Sequence, residues 1–227
     1  TNSKSSMFNI SSLAELNILN ESDSLLVLIP SSTVTSYEFE ENKSLSKQIN
    51  IANFISEVDS SFADPVSNND YFLHNNAAYV VDKFFLKNLN ASLSELNTKI
   101  YVSPEYLINV VEGNDVITEF EGRFMFSYSN KTGFALDHNS LSQYIEIVLN
   151  KNPNFNPLIF STNNDLLNRF GEKVINKSFD ISSIDLSDIN NLPNFFKLQI
   201  SLSLFSKKMN LSKIQIAISL LALFIVM

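Results

Sequence analysis

Four carboxylates stand where their type and spacing could support chemistry: Asp115, Glu119, Asp137 and Glu146. Nucleases built on a ribonuclease-H-like core hold two metal ions between converging carboxylates, which then activate water and stabilise the leaving oxygen. Asp115 opens an apolar strand pattern, and Asp137 sits where a helix cap is wanted. The plainer reading is that all four are turn and cap acids on a solvated surface, and it is preferred. The chain has two histidines, His74 and His138. His74 ends a strand pattern, and His138 is expected at an exposed helix start. Neither alone makes a metal site or a triad. Cysteine is absent, which excludes disulfides, thiolate metal sites and cysteine nucleophiles. No catalytic, cofactor-binding or metal-ligating residue is therefore assigned, and the chain is not expected to be an enzyme.

Phosphate recognition asks for glycine, because backbone amides must approach the ligand closely. The chain has four glycines: Gly113, Gly122, Gly133 and Gly171. Their spacing permits neither a Walker loop nor a dinucleotide fingerprint. The hairpin that would grip phosphate in an actin-like ATPase reads Glu119-Phe120-Glu121-Gly122-Arg123. It has one glycine, no Ser or Thr among its five residues, and a Phe where a small residue is needed.

Charge divides the chain. Net charge is −8, yet no acidic residue follows Asp188, whereas Lys197, Lys207, Lys208 and Lys213 do. Residues 1–188 hold all 24 acids and, with those four lysines set aside from the 16 basic residues, a net charge of −12. An acidic body does not suit nucleic acid, whose phosphates need clustered Lys and Arg. Residues 211–227 read LSKIQIAISLLALFIVM and are uncharged from Ile214 onward. As a helix they span roughly 25 Å, slightly short of a bilayer core. A truncated transmembrane helix is expected, flanked by Lys207, Lys208 and Lys213. The positive-inside rule then puts the preceding body in the cytoplasm. A buried C-terminal core helix is the alternative. The seven Asn-x-Ser/Thr sequons leave a glycosylated ectodomain as another, although so much Asn and Ser makes sequons by chance.

The elements that must position these residues follow from periodicity. Leu25–Ile29 and Thr33–Phe39 read as strands. Leu45, Ile49, Ala52, Ile55, Val58 and Phe62 fall on one face of a helix over 44–62. Tyr71–Leu73 and Ala77–Val81 pair, and a helix carrying Phe85, Leu89, Leu93 and Leu96 follows, with a break expected near Asn90. Lys99–Val102 is a short strand. Asp115–Phe120, Arg123–Tyr128 and Gly133–Leu136 make an antiparallel set turned at Glu121-Gly122. Phe124, Phe126 and Tyr128 are expected on its one buried face. Ser140 and Gln143 form a capping-box pattern before a helix faced by Leu141, Tyr144, Ile145, Val148 and Leu149. Pro157–Phe160 is a buried strand, and Thr162 opens a helix that Gly171 ends. Three antiparallel strands, helix, strand, helix is the order of a ribonuclease-H-like core, the half-unit of actin-like ATPases. The fold class is therefore α/β (mixed α+β), with degenerate actin-like units and mixed sheets before a C-terminal transmembrane helix. The expected parts are a first subdomain over 1–97, a second over 98–188, a basic juxtamembrane segment over 189–210 and the membrane helix over 211–227.

Several stretches resemble the cytoplasmic half of type II secretion system protein L. They are LLVLIPSSTV at 25–34, NIANFISEVDSSFADPVSNNDYFLH at 50–74, AAYVVDKFFLKNL at 77–89, GRFMFSYSNKTGFALDHNSL at 122–141 and NNLPNFFKLQISLSLFSKK at 190–208. Glu57, His74, Phe134, Ala135 and Asp137 match family positions. Phe195-Phe196-Lys197-Leu198 lacks the family's glycine, and the Pro before the long first helix is missing. The resemblance implies an actin-like fold that does not hydrolyse nucleotide and needs no cofactor. It implies a single-pass inner-membrane protein with a cytoplasmic N-terminal domain and a periplasmic domain after the helix. Its implied partners are the N-terminal domain of the secretion ATPase and the bitopic protein M, with homodimerisation expected. A type IV pilus analogue and a nucleotide-binding actin-like ATPase stand as alternatives.

Overall fold

The computed structural model describes residues 19, 23–58, 65–171, 174–175, 179 and 186–197. The expected membrane helix over 211–227, and Lys207, Lys208 and Lys213 beside it, lie outside these residues. Among the described residues no helix is long and apolar enough to cross a membrane. Those up to Phe196 belong to one unit, and Lys197 begins a second, of which it alone is described.

Ten strands and four α-helices follow in order among the described residues: β1 (Ser24–Ile29), β2 (Val34–Glu38), α1 (Lys47–Val58), β3 (Asn69–His74), β4 (Ala77–Asp82), α2 (Lys83–Leu93), β5 (Lys99–Pro104), β6 (Val116–Phe120), β7 (Arg123–Ser127), β8 (Gly133–Asp137), α3 (His138–Lys151), β9 (Leu158–Phe160), α4 (Asn164–Phe170) and β10 (Val174–Ile175). β1 pairs with β5 in parallel, Ser24 opposite Lys99. β2, β4 and β3 form an antiparallel sheet with β4 at its centre. The remaining five strands lie in the order β10-β9-β6-β7-β8. In that sheet β6, β7 and β8 run antiparallel, whereas β9 and β10 run parallel to β6 and β9. The fold is mixed α+β with mixed sheets.

β4 explains how the first half packs. Successive side chains of a strand point to opposite faces. Ala77, Tyr79 and Val81 enter a core with Leu86 and Leu93 of α2. Ala78 and Val80 enter a second core with Phe54 of α1. Helices thus cover both faces, which is why Ala77–Val81 is apolar without alternation. The α1 face differs from expectation. Ile49 is 47% exposed and Leu45 37%, while Phe54 is 1% exposed. Phe54 makes edge contacts with Tyr37, Phe39 and Tyr71 at 5.4–6.3 Å between ring centres. Ile55 and Val58 pack against that core as expected, joined by Ile51, whereas Ile49 turns outward, Leu45 precedes the helix, and Phe62 lies outside the described residues. α2 does not break at Asn90, which is buried inside the helix.

The five-stranded sheet is covered on both faces as well, a second departure. Phe124 and Phe126 pack with Leu141, Ile145, Ile159 and Leu166. Met125, on the opposite face, joins the core of β4 and β5. Ser127 is also buried and donates to the Tyr106 carbonyl. Gly133 is required by a close approach. A Cβ there would collide with the Phe126 carbonyl oxygen and lie 2.6 Å from Tyr106 Cδ2. α3 begins at His138 with Asp137 at its N-cap, so Ser140 and Gln143 lie inside the helix and cap nothing. Asn163 caps α4 in place of Thr162.

Candidate functional site

The polar residues of the second half gather where β6 and β9 end side by side. Parallel pairing brings Thr118 opposite Phe160, so the next residues, Glu119 and Ser161, meet at the strand ends. Ser161 is fully buried, and its hydroxyl donates to Glu119 Oε2 at 2.5 Å. The Thr162 amide donates to the same oxygen at 3.3 Å. Ser161 Oγ in turn accepts the Asn163 amide at 2.9 Å. Asn163 Oδ1 caps α4 by accepting from Asp165 N and Leu166 N. Its Nδ2 lies 3.2 Å from His138 Nε2, and the His138 ring lies against Phe124 at 5.0 Å. Glu119 is thus occupied by donors of its own chain.

The β6–β7 turn lies beside this cluster. Glu121 and Gly122 have φ of 50° and 75°, the two positive values a tight two-residue hairpin requires. Gly122 takes this conformation freely, and Glu121 takes it at a cost. Arg123 then reaches Glu105 Oε1 at 2.7 Å and Asp137 Oδ1 at 3.6 Å. Glu105 Oε1 also accepts the Ser31 amide at 2.8 Å, and Ser31 Oγ accepts the Ala135 amide at 3.2 Å. The Glu105 side chain is 14% exposed and that of Asp137 82%, so the inner pair holds the hairpin and the outer one is screened by water.

The four sequence-proposed carboxylates do not converge. Asp115 accepts the Ser129 amide at 2.9 Å at the opposite end of β6 from Glu119. Four residues of strand separate them by about 13 Å. Asp137 pairs with Arg123, and Glu146 is exposed on α3. Among the described residues, no three His, Cys, Asp or Glu side chains are grouped to hold a metal ion. His138 is exposed as expected. His74 ends β3 and lies 2.8 Å from the Asn191 carbonyl. Burial holds its pKa below the usual histidine value of 6.5; the Asn191 bond opposes this, Lys131 and Lys47 reinforce it, and Glu41 opposes it.

Glu105, Ser31, Ser161 and Asn163 were not singled out in the sequence. Two signals bear on three of them: Arg123, one of two arginines, sits on an apolar strand where a carboxylate partner is favoured, and the polar run Ser161-Thr162-Asn163 directly follows an apolar strand; no signal marks Ser31.

No protein-family model matches the chain, and no curated protein matches it. A solved structure does resemble it. This structural neighbour is the cytoplasmic domain of EpsL, an inner membrane component of the type II secretion system of Vibrio cholerae. Identity is 19% and the TM-score 0.46, over 58% of this chain and 58% of that one. The chain therefore spans less than two thirds of the EpsL structure, and the likeness is one of partial fold outline.

Proposed function

We propose that the chain is the cytoplasmic part of a type II secretion inner-membrane component of the protein L kind. In this reading it is a docking module that neither binds nor hydrolyses nucleotide. Its partners are the N-terminal domain of the secretion ATPase and the bitopic protein M, and it is held at the inner membrane by a single span. Three of the resembling stretches support this reading because they fall on regular elements: 25–34 on β1 and the start of β2, 77–89 on β4 and most of α2, and 122–141 on β7, β8 and the start of α3. The second half supports an actin-like, ribonuclease-H-like core. Numbered from β6, its strands lie in the order 3-2-1-4-5, with the first three antiparallel and the last two parallel to the first.

One observation carries the non-enzymatic part of the proposal. At the hairpin where an actin-like ATPase offers open backbone amides to phosphate, Arg123 is engaged by Glu105, and the exposed Glu121 places a negative charge in the turn. With the Arg123 charge already met by Glu105, the exposed Glu121 is what a polyphosphate would face at that turn, and Coulomb repulsion opposes it. The test is a pull-down of the cognate secretion ATPase by the folded chain, with an ATP and ADP titration alongside. Capture of the ATPase without nucleotide binding is expected. Micromolar nucleotide binding would favour the ATPase reading instead.

A further inference from the structure

We propose that residues 189–196 are a strap that completes the outer edge of β5 and ties it to β3, β4 and the β7–β8 turn. β5 has β1 on one side. On the other side its peptide groups need partners, since a buried amide or carbonyl left unpaired loses its hydration with nothing in return. The strap supplies them with very little chain. The Asn194 side chain accepts the Val102 amide through Oδ1 at 2.9 Å and donates from Nδ2 to the Ile100 carbonyl at 3.3 Å. The Phe195 amide then donates to the Val102 carbonyl at 2.8 Å. Residues 100 and 102 present these groups to the same side of the strand, as alternate residues do. A side-chain amide has the donor and acceptor of a peptide group, so Asn194 stands in for one peptide unit of a neighbouring strand. Its Oδ1 also accepts the Phe196 amide at 3.0 Å, which holds the turn closed.

Other contacts pin the strap along its length. Tyr101 donates its hydroxyl to Asn190 Oδ1 at 2.7 Å. Lys131 donates to the Asn191 carbonyl at 2.8 Å, beside the His74 contact. Phe195 is fully buried, with its ring 4.7 Å from that of Phe72 and 5.4 Å from that of Tyr79. These neighbours come from β3, β4, β5 and the β7–β8 turn, so the strap ties distant parts of the body together. The inference does not depend on which partner the body docks.

Hydrogen exchange read by mass spectrometry on the whole chain tests it. In the wild type, the peptide covering 189–196 should exchange slowly, like β5. Asn194→Ala should speed its exchange by about tenfold or more while the peptides of α3 and β9 stay unchanged, which marks local opening. Asn194→Asp keeps the acceptor and loses the donor, and should fall between. Should Asn194→Ala fail to fold, Asn190→Ala, which removes only the Tyr101 partner, should still speed exchange across 189–192. Free-peptide exchange of 189–196 in the wild type would overturn the strap. So would unchanged exchange there in a folded variant.

Discussion

Ser161 donates its hydroxyl proton to Glu119 at 2.5 Å, across the ends of two parallel strands. The bond turns the acid near the end of the central strand into a clasp between β6 and β9. Ser161→Ala removes the hydroxyl and leaves the carboxylate with the Thr162 amide. Stability should fall by about 1–3 kcal/mol, read from urea unfolding. If Glu119 were instead a metal ligand, millimolar Mg²⁺ would raise the melting temperature of the wild type. No rise is expected.

Gly133 is fixed by its neighbours. Gly133→Ala drives a methyl group into the Phe126 carbonyl oxygen and the Tyr106 ring. The strand has to shift, and overpacking of this kind costs about 1–3 kcal/mol. A melting temperature equal to that of the wild type would show that β8 does not approach β7 and Tyr106 so closely.

Phe54 holds α1 to its sheet through contacts with three rings. Phe54→Ala should cost about 3–5 kcal/mol. Ile49→Ala, on the exposed face, should stay within about 0.5 kcal/mol. Equal losses from the two would contradict the observed orientation of α1.

His74 gives a pH dependence with a definite sign. Its pKa is lowered in the folded chain, with burial as the largest cause. The unfolded chain therefore takes up the proton first as pH falls. The stability is fully present above the unfolded value of 6.5 and is lost as pH falls from there toward the folded value. Lys131 and Lys47 add to this and Glu41 opposes it. Unfolding curves at pH 8 and pH 5.5 should show a smaller difference in His74→Gln than in the wild type. Identical differences would remove His74 from the account of acid sensitivity.

Element order was readable because period and length are local. Val27 and Val102 sit in uninterrupted apolar runs, and Leu141, Ile145 and Val148 keep a helical spacing, so each element declares its own type. Facing was less readable. Ile49 and Phe54 satisfy helical periodicity on different stripes, and the large ring wins because three aromatic partners surround it. Met125 reads as the outer face of a hairpin until the other half of the chain covers it. The polar edge was harder still. Glu119 and Ser161 are 42 residues apart, and nothing in either neighbourhood tells which acid the strand pairing will supply with donors. Arg123 and Glu105 meet only because the β6–β7 turn folds back on the segment after β5.

The most direct test of the proposed docking role is a calorimetric titration of the folded chain with the N-terminal domain of a secretion ATPase from the same organism. Saturable binding at about 10 µM or tighter, near −7 kcal/mol, is expected, and 1 mM ATP should not change it. A chain that circular dichroism shows to be folded, yet that gives no binding heat at several temperatures while ATP itself binds, would contradict the docking role.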